Sequence, residues 1–80
     1  MIDLAAMRVG AKGHVVSIDG VDSVSLRLME MGLLEGEEIQ LLAIAPLGDP
    51  LEIRLGDGRL SLRRTEAARV LVQLLGAGAS

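Results

Sequence analysis

Ala45-Pro46-Leu47-Gly48-Asp49-Pro50-Leu51-Glu52-Ile53-Arg54-Leu55-Gly56-Asp57-Gly58-Arg59-Leu60-Ser61-Leu62-Arg63-Arg64 is the stretch from which the fold can be read. Leu51, Ile53 and Leu55 alternate with Glu52 and Arg54; Leu60 and Leu62 alternate with Arg59, Ser61 and Arg63. A period of two sends successive side chains to opposite faces, so each run predicts a strand with one apolar face. Between them, Asp57-Gly58 suits a type I′ turn, whose central positions both need positive φ. That turn sets Leu55 against Leu60 and Ile53 against Leu62 on the buried side. It sets Glu52 opposite Arg63 on the outer side, a favourable cross-strand pair. Upstream, Pro46 and Pro50 bracket Leu47-Gly48-Asp49 and cannot donate to a ladder, which makes this a shaped loop.

On the N-terminal side of that hairpin, Ile39 to Ala45 is a largely continuous apolar run and predicts a central, well-buried strand. Before it lies the one convincing helix. Asp22 or Ser23 can cap it, Gly32 is placed as the C′ residue, and Val24, Leu28 and Met31 form a core-facing stripe. Leu26 and Met29 project to the opposite side. They either pack beneath another segment or present a contact patch. Leu33-Leu34-Glu35-Gly36 is the turn after the helix. Further back, Asp3 caps a single turn through Leu4 and Met7, and His14–Ile18 is a first strand ended by Asp19-Gly20. Beyond the hairpin, residues 64–69 form one helical turn with Thr65 as cap, and Val70–Leu74 closes the sheet. Residues 1–75 make the domain; residues 76–80 have nothing to bury and are expected to be disordered.

The resulting order is mainly β: five short strands, one inserted α-helix and a short helical turn before the last strand. A sheet of such short strands is best protected by curling into a small barrel, and the order resembles an SH3-like barrel.

The chain has 80 residues, enough for one small domain that buries ~60% of its unfolded surface. Phe, Tyr and Trp are absent, so the core is aliphatic. Without aromatics there is no platform for stacking bases and no groove for proline-rich peptides. The net charge of −3 likewise argues against nucleic acid. Charge is uneven: residues 1–53 carry three basic side chains (Arg8, Lys12, Arg27) and nine acidic ones, and the remainder carries five arginines and two acids. An acidic front and a basic back suit docking to a protein partner, or are two solvated faces of one barrel. Cysteine is absent, which excludes disulfides and thiolate metal sites. The N-terminus does not read as a signal peptide, and no uncharged run approaches the ~20 residues that span a bilayer. A cytoplasmic protein without direct membrane insertion is expected.

A search for chemistry finds none. His14 is the single histidine and reads as structural; Glu35, Glu37 and Glu38 read as a solvated acidic corner with at most weak divalent-cation contact. Gly56-Asp57-Gly58 belongs to the hairpin rather than to a phosphate loop. No catalytic residue, metal ligand or cofactor site is assigned.

Three segments together carry a resemblance. Arg27-Leu28 with Met31-Gly32-Leu33 and Gly36, the loop Ala45-Pro46-Leu47-Gly48-Asp49-Pro50, and Leu60-Ser61-Leu62-Arg63-Arg64 followed by Glu66-Ala67-Ala68 resemble the motifs of the ferrous iron transport protein A (FeoA) family, in order and at its spacing. The likeness covers about residues 4–74. Met31 stands where leucine is usual and Glu35 where proline is frequent. Met for Leu is a tolerated core swap, and Glu leaves its turn less rigid.

The resemblance implies the same SH3-like barrel, no enzymatic activity, and a role in transition-metal transport. The implied partner is the bacterial ferrous iron transporter FeoB, whose large membrane subunit bears a cytoplasmic GTPase domain. Much of the motif has a structural role: Gly32 permits the helix C-cap, Gly36 the turn, and Gly48 with Pro46 and Pro50 the loop shape. Leu28, Met31 and Leu33 are read as core. Asp49 either accepts hydrogen bonds within its own loop or pairs with Arg27. For partner contact the expectation is Leu26 and Met29 with Leu47 at the loop tip, and Arg27 and Glu30 as polar rim. Two alternatives stand beside the adaptor: a self-associating module, and a direct metal-sensing domain related to the C-terminal domain of iron-dependent repressors.

Overall fold

The computed structural model describes residues 1–76; the expected tail lies, from residue 77 on, outside the described residues. The elements in order are β1 (Ile2–Asp3), a 3-10 turn (Leu4–Ala6), β2 (Lys12–Ile18), α1 (Ser23–Glu30), β3 (Glu38–Ile44), β4 (Leu51–Leu55), β5 (Gly58–Leu62), α2 (Arg64–Ala67) and β6 (Val70–Leu74). They build one antiparallel sheet in the order β1-β6-β2-β3-β4-β5. The mainly β class, the inserted helix and the helical turn before the last strand are as expected. The strand count is six rather than five, because β1 pairs with β6 through Ile2↔Val72 and Asp3↔Leu71. Two residues are too few to show a period, so nothing local announces this strand.

The sheet is curled but not closed, and β1 and β5 are its edges. Register shifts between Val15 and Ser17 in β2 and between Leu41 and Ala43 in β3 insert extra residues into the ladder, which bends and twists both central strands. Their concave side holds an aliphatic core that includes Leu4, Val15, Leu28, Ile39, Leu41, Leu51, Ile53, Leu62, Val70 and Val72. Each leucine-sized side chain buried there contributes about 1.5–3 kcal/mol. Leu28 and Leu33 are core as read, whereas Met31 is half-buried at its margin.

β3 is central but not buried throughout. Ile39 and Leu41 are buried, Leu42 is half-buried and Ala43 exposed. A one-layer antiparallel sheet leaves its convex face to solvent, so the outward apolar residues of the run stay accessible.

The hairpin forms with a register shifted by two residues from the expected one. Leu51 faces Leu62, Ile53 faces Leu60, Arg54 faces Arg59 and Leu55 faces Gly58, leaving Gly56-Asp57 as the turn. Gly56 has φ 59° and no residue other than glycine has positive φ, which is the pattern of a type II′ turn with glycine first rather than type I′. A slip of two preserves the side-chain alternation, so the buried face survives. The outer pairing does not: Glu52 faces Ser61 and not Arg63, and reaches Arg59 on the diagonal at 3.6 Å.

α2 is capped from a position other than Thr65. Arg63 occupies the N-cap, and its N–H donates to Glu66 Oε1 at 2.9 Å, so Thr65 lies inside the helix. The acidic front and basic back are not separate faces either. Arg69 pairs with Asp22, Arg59 with Glu52 and Arg27 with Glu66, stitching the two halves together.

Candidate functional site

Helix α1 begins at Asp22, whose Oδ1 accepts from Ser25 N–H at 3.0 Å while Ser25 Oγ accepts from Asp22 N–H at 3.0 Å. This reciprocal capping box satisfies donors the helix start would otherwise leave open, and it lets Ser25 be buried. Arg69, just before β6, adds a clamp. Its Nη2 donates to Asp22 Oδ1 at 2.8 Å, and Nε and Nη2 donate to Asp19 O at 3.1 and 3.0 Å. The guanidinium, with help from Ser25 N–H, lowers the Asp22 carboxyl from 3.8 to about 2, and Asp22 in turn raises Arg69. At the other end Gly32 takes φ 107° in the C′ position and packs on Leu55, 3.1 Å from where a Cβ would stand.

Held at both ends and by the Arg27–Glu66 ion pair to α2, α1 buries Leu28 and turns Leu26 (57% exposed) and Met29 (39%) outward. These two are the expected contact residues. Glu30 is exposed beside them, and Arg27, though committed to Glu66, keeps its side chain more than half exposed. Leu47 is 97% exposed at the tip of a different loop. Sequence reading missed two further exposed apolar residues that flank α1, Val21 (102%) and Leu34 (51%). Val21 sits at N′ with Leu26 at N4, the spacing of a hydrophobic staple, yet Val21 packs on nothing. The spacing alone would have predicted packing, so no signal in the sequence marked Val21 as exposed.

Asp49 does not pair with Arg27. Its Oδ1 accepts from Arg64 N–H at 3.0 Å, at the open end of the β4–β5 hairpin. The Arg64 side chain returns the tie, donating from Nε to Gly48 O at 2.8 Å and from Nη1 to Ala5 O at 3.2 Å. One arginine thus joins the 45–50 loop, α2 and the N-terminal turn where the sheet stays open. Gly36 and Gly48 both take positive φ, 90° and 88°, Pro46 and Pro50 frame the loop, and the Asp49–Pro50 peptide is cis. The roles of Arg64 and Arg69 were not legible, since only the fold shows which carbonyls they meet.

His14 is half-buried in β2 between Glu38 of β3 and Gln73 of β6. Among the described residues no group of three or more His, Cys, Asp or Glu could hold a metal ion, and no helix is long and apolar enough to cross a membrane. What the surface offers is contact: an apolar helix face set in a rigid frame.

A curled antiparallel sheet with one inserted helix defines a small SH3-like domain, here with an exposed apolar helix face. The FeoA domain model matches residues 2–74, and the chain belongs to the FeoA family. This is a family of small accessory SH3-like proteins linked to ferrous iron transport, not of enzymes. The chain is 34% identical over 77 residues to the Fe(2+) transport protein A/Fe(2+) transporter FeoB fusion protein of Porphyromonas gingivalis, covering 96% of this chain but only 9% of that much longer relative. The solution structure of a FeoA-like protein from Clostridium acetobutylicum is 38% identical, with a TM-score of 0.87 over 92% of this chain and 86% of that one. The FeoA of Stenotrophomonas maltophilia, crystallised with zinc and described as a procaryotic SH3 domain protein, is 32% identical, with a TM-score of 0.82 over 91% of each chain. A manganese-dependent transcriptional repressor shares the fold alone, at 21% identity and a TM-score of 0.83 over 91% of this chain and 36% of that one.

Proposed function

We propose that this chain is a cytoplasmic, non-enzymatic accessory protein that binds the cytoplasmic side of the membrane ferrous iron transporter FeoB and supports or regulates uptake. The observation that carries this reading is the P. gingivalis fusion, in which a FeoA segment and FeoB share one polypeptide. Covalent linkage raises the effective concentration of one partner for the other, which is useful only where the two act together.

The surface assigned to the contact is the outer face of α1, with Leu26 and Met29 as apolar anchors, Arg27 and Glu30 as rim, and Leu47 as a second point of contact. A helix clamped at both ends loses little backbone freedom on binding, which favours affinity. The test is binding of the purified transporter, with and without guanine nucleotide, to the wild type and to Leu26→Glu/Met29→Glu. Both positions face solvent, so the double variant keeps its fold; it is expected to lose binding. Unchanged binding by a folded double variant refutes this surface. Absence of wild-type binding in every nucleotide state refutes the adaptor reading and favours self-association, visible as a higher mass of the free protein. Direct metal sensing is a second reading, suggested by the zinc in the S. maltophilia relative. Anaerobic Fe²⁺ calorimetry on the free chain separates it from the first.

A further inference from the structure

Among the described residues β5 pairs only with β4 and so forms an open edge of the sheet. In a two-residue hairpin the pair flanking the turn, here Leu55 and Gly58, exchanges both hydrogen bonds, and bonded pairs alternate from there. Leu60 and Leu62 therefore bond inward to β4, while the N–H and C=O of Arg59 and Ser61 point away from the sheet. Arg63 continues in extended conformation (φ −68°, ψ 150°), but Glu66 takes its N–H and the chain then turns into α2. The free edge is short and well bounded.

Its two faces differ in chemistry. On the outer face Arg54 and Arg59 stand directly opposite each other, followed along β5 by Ser61 and Arg63. The carboxylate that this face of the hairpin provides is Glu52, 3.6 Å from Arg59, with both side chains well exposed. Arg59 meets it, while Arg54 stands directly opposite Arg59, and like charges so placed are unfavourable. On the inner face Leu60 is half-buried at the margin of the core, where one more strand would cover it.

We propose that the β5 edge receives an extended segment of another protein whose side chains run acidic, apolar, polar, apolar, acidic. Added antiparallel, like every other pair in the sheet, this segment bonds its backbone to Arg59 and Ser61. Its carboxylates lie opposite Arg59 and Arg63, and its apolar side chains extend the core over Leu60. A second copy of this chain does not fit, because antiparallel β5–β5 pairing centred on Ser61 sets Arg59 of one copy against Arg63 of the other. The chain's own acidic run cannot serve as the added strand either. Gly36 N–H donates to Val15 O and Glu37 O accepts from Val15 N–H, at 2.8 and 2.9 Å. Nucleic acid lacks the peptide groups that this edge matches, and the net charge of −3 opposes it. The surface is distinct from the α1 face, and its test does not depend on the transporter.

The probe is the synthetic peptide acetyl-Gly-Glu-Val-Ser-Val-Glu-Gly-amide, titrated into the isotope-labelled full chain, beside a version with lysine in place of glutamate. The acidic peptide is expected to give saturable shifts confined to β4 and β5 and to slow the exchange of the Arg59 and Ser61 amide protons. Binding should weaken as ionic strength rises, and the lysine peptide should bind at least ~tenfold more weakly. Ser61→Pro removes an outward N–H at a place where an edge strand tolerates proline, and should lose binding. Arg59→Glu/Arg63→Glu should reverse the preference in favour of the lysine peptide, a readout that stands even if the proline variant unfolds. Equal affinity for both peptides, shifts centred on α1, or no shifts at all would overturn the proposal. The arginines would then serve only to keep an open edge from aggregating.

Discussion

Replacing Gly13 by alanine tests how closely β2 and β6 approach. Gly13 lies in β2, paired with Leu74 on one side and Ile39 on the other. A Cβ built there stands 2.3 Å from Val72 Cγ1 and 2.8 Å from Gln73 O. Neither neighbour can yield easily. Val72 is fully buried and stiff at χ1, and the second contact is backbone. Overpacking of this kind costs about 1–3 kcal/mol, and two rigid neighbours place it in the upper half. Alanine would otherwise gain about 0.5–1 kcal/mol over glycine in a strand, so the net loss is about 1–2.5 kcal/mol. For a domain of this size that lowers Tm by roughly 4–20 °C. Urea and thermal unfolding of the wild type, Gly13→Ala, Val72→Ala and the double variant form a cycle. Truncating Val72 removes the worse of the two contacts, so the double variant should be more stable than the sum of the single losses by at least about 0.5 kcal/mol. A Gly13→Ala protein as stable as the wild type, or strictly additive losses, would refute the reasoning.

Two further outcomes follow from the polar ties. Because Asp22 titrates lower in the folded protein than in the unfolded chain, its stabilising effect is complete above about pH 4 and is lost as pH falls from there towards about 2. Asp22→Asn keeps an oxygen for the Ser25 N–H but not the charge that Arg69 meets, so its stability should vary less with pH over that window; equal slopes in acid-unfolding curves would contradict the Asp22–Arg69 clamp. Arg64→Lys keeps the charge but cannot span Gly48 O and Ala5 O together, so it should cost about 1–2 kcal/mol and speed proteolysis in the 45–50 loop. No change in either measurement would remove Arg64 as the tie across the open side of the sheet.

Alternation in Leu51–Leu55 and Leu60–Leu62, the cap at Asp22, the glycine at position 32 and the stripe of Val24, Leu28 and Met31 are properties of adjacent residues. Period and capping chemistry are enough to place these elements and the faces they bury. Leu26 and Met29 were readable as the outer side of the helix for the same reason, but whether another segment covers that side was not. The hairpin register was less secure: both Gly56-Asp57 and Asp57-Gly58 are competent turns, and a slip of two leaves the apolar face in place. The two registers differ in their partners, with Leu51–Leu62 and Arg54–Arg59 formed in place of Leu55–Leu60 and Glu52–Arg63.

Family membership was likewise legible in short motifs with a fixed order, but the work done by those motifs was not. Asp49 meets the backbone of Arg64, Arg27 meets Glu66, and Arg69 meets Asp19 and Asp22, each across a gap in the chain that no periodicity bridges. The same holds for β1, whose two residues are a strand only because β6 lies beside them, and for Gly13, which must lack a side chain only because Val72 is there. Local order along this chain determined its elements other than β1, and the faces they bury. The partners of its arginines, the unfinished edge at β5 and the close approach of β2 to β6 were decided by tertiary structure, because each depends on distances that exist only once the sheet has curled.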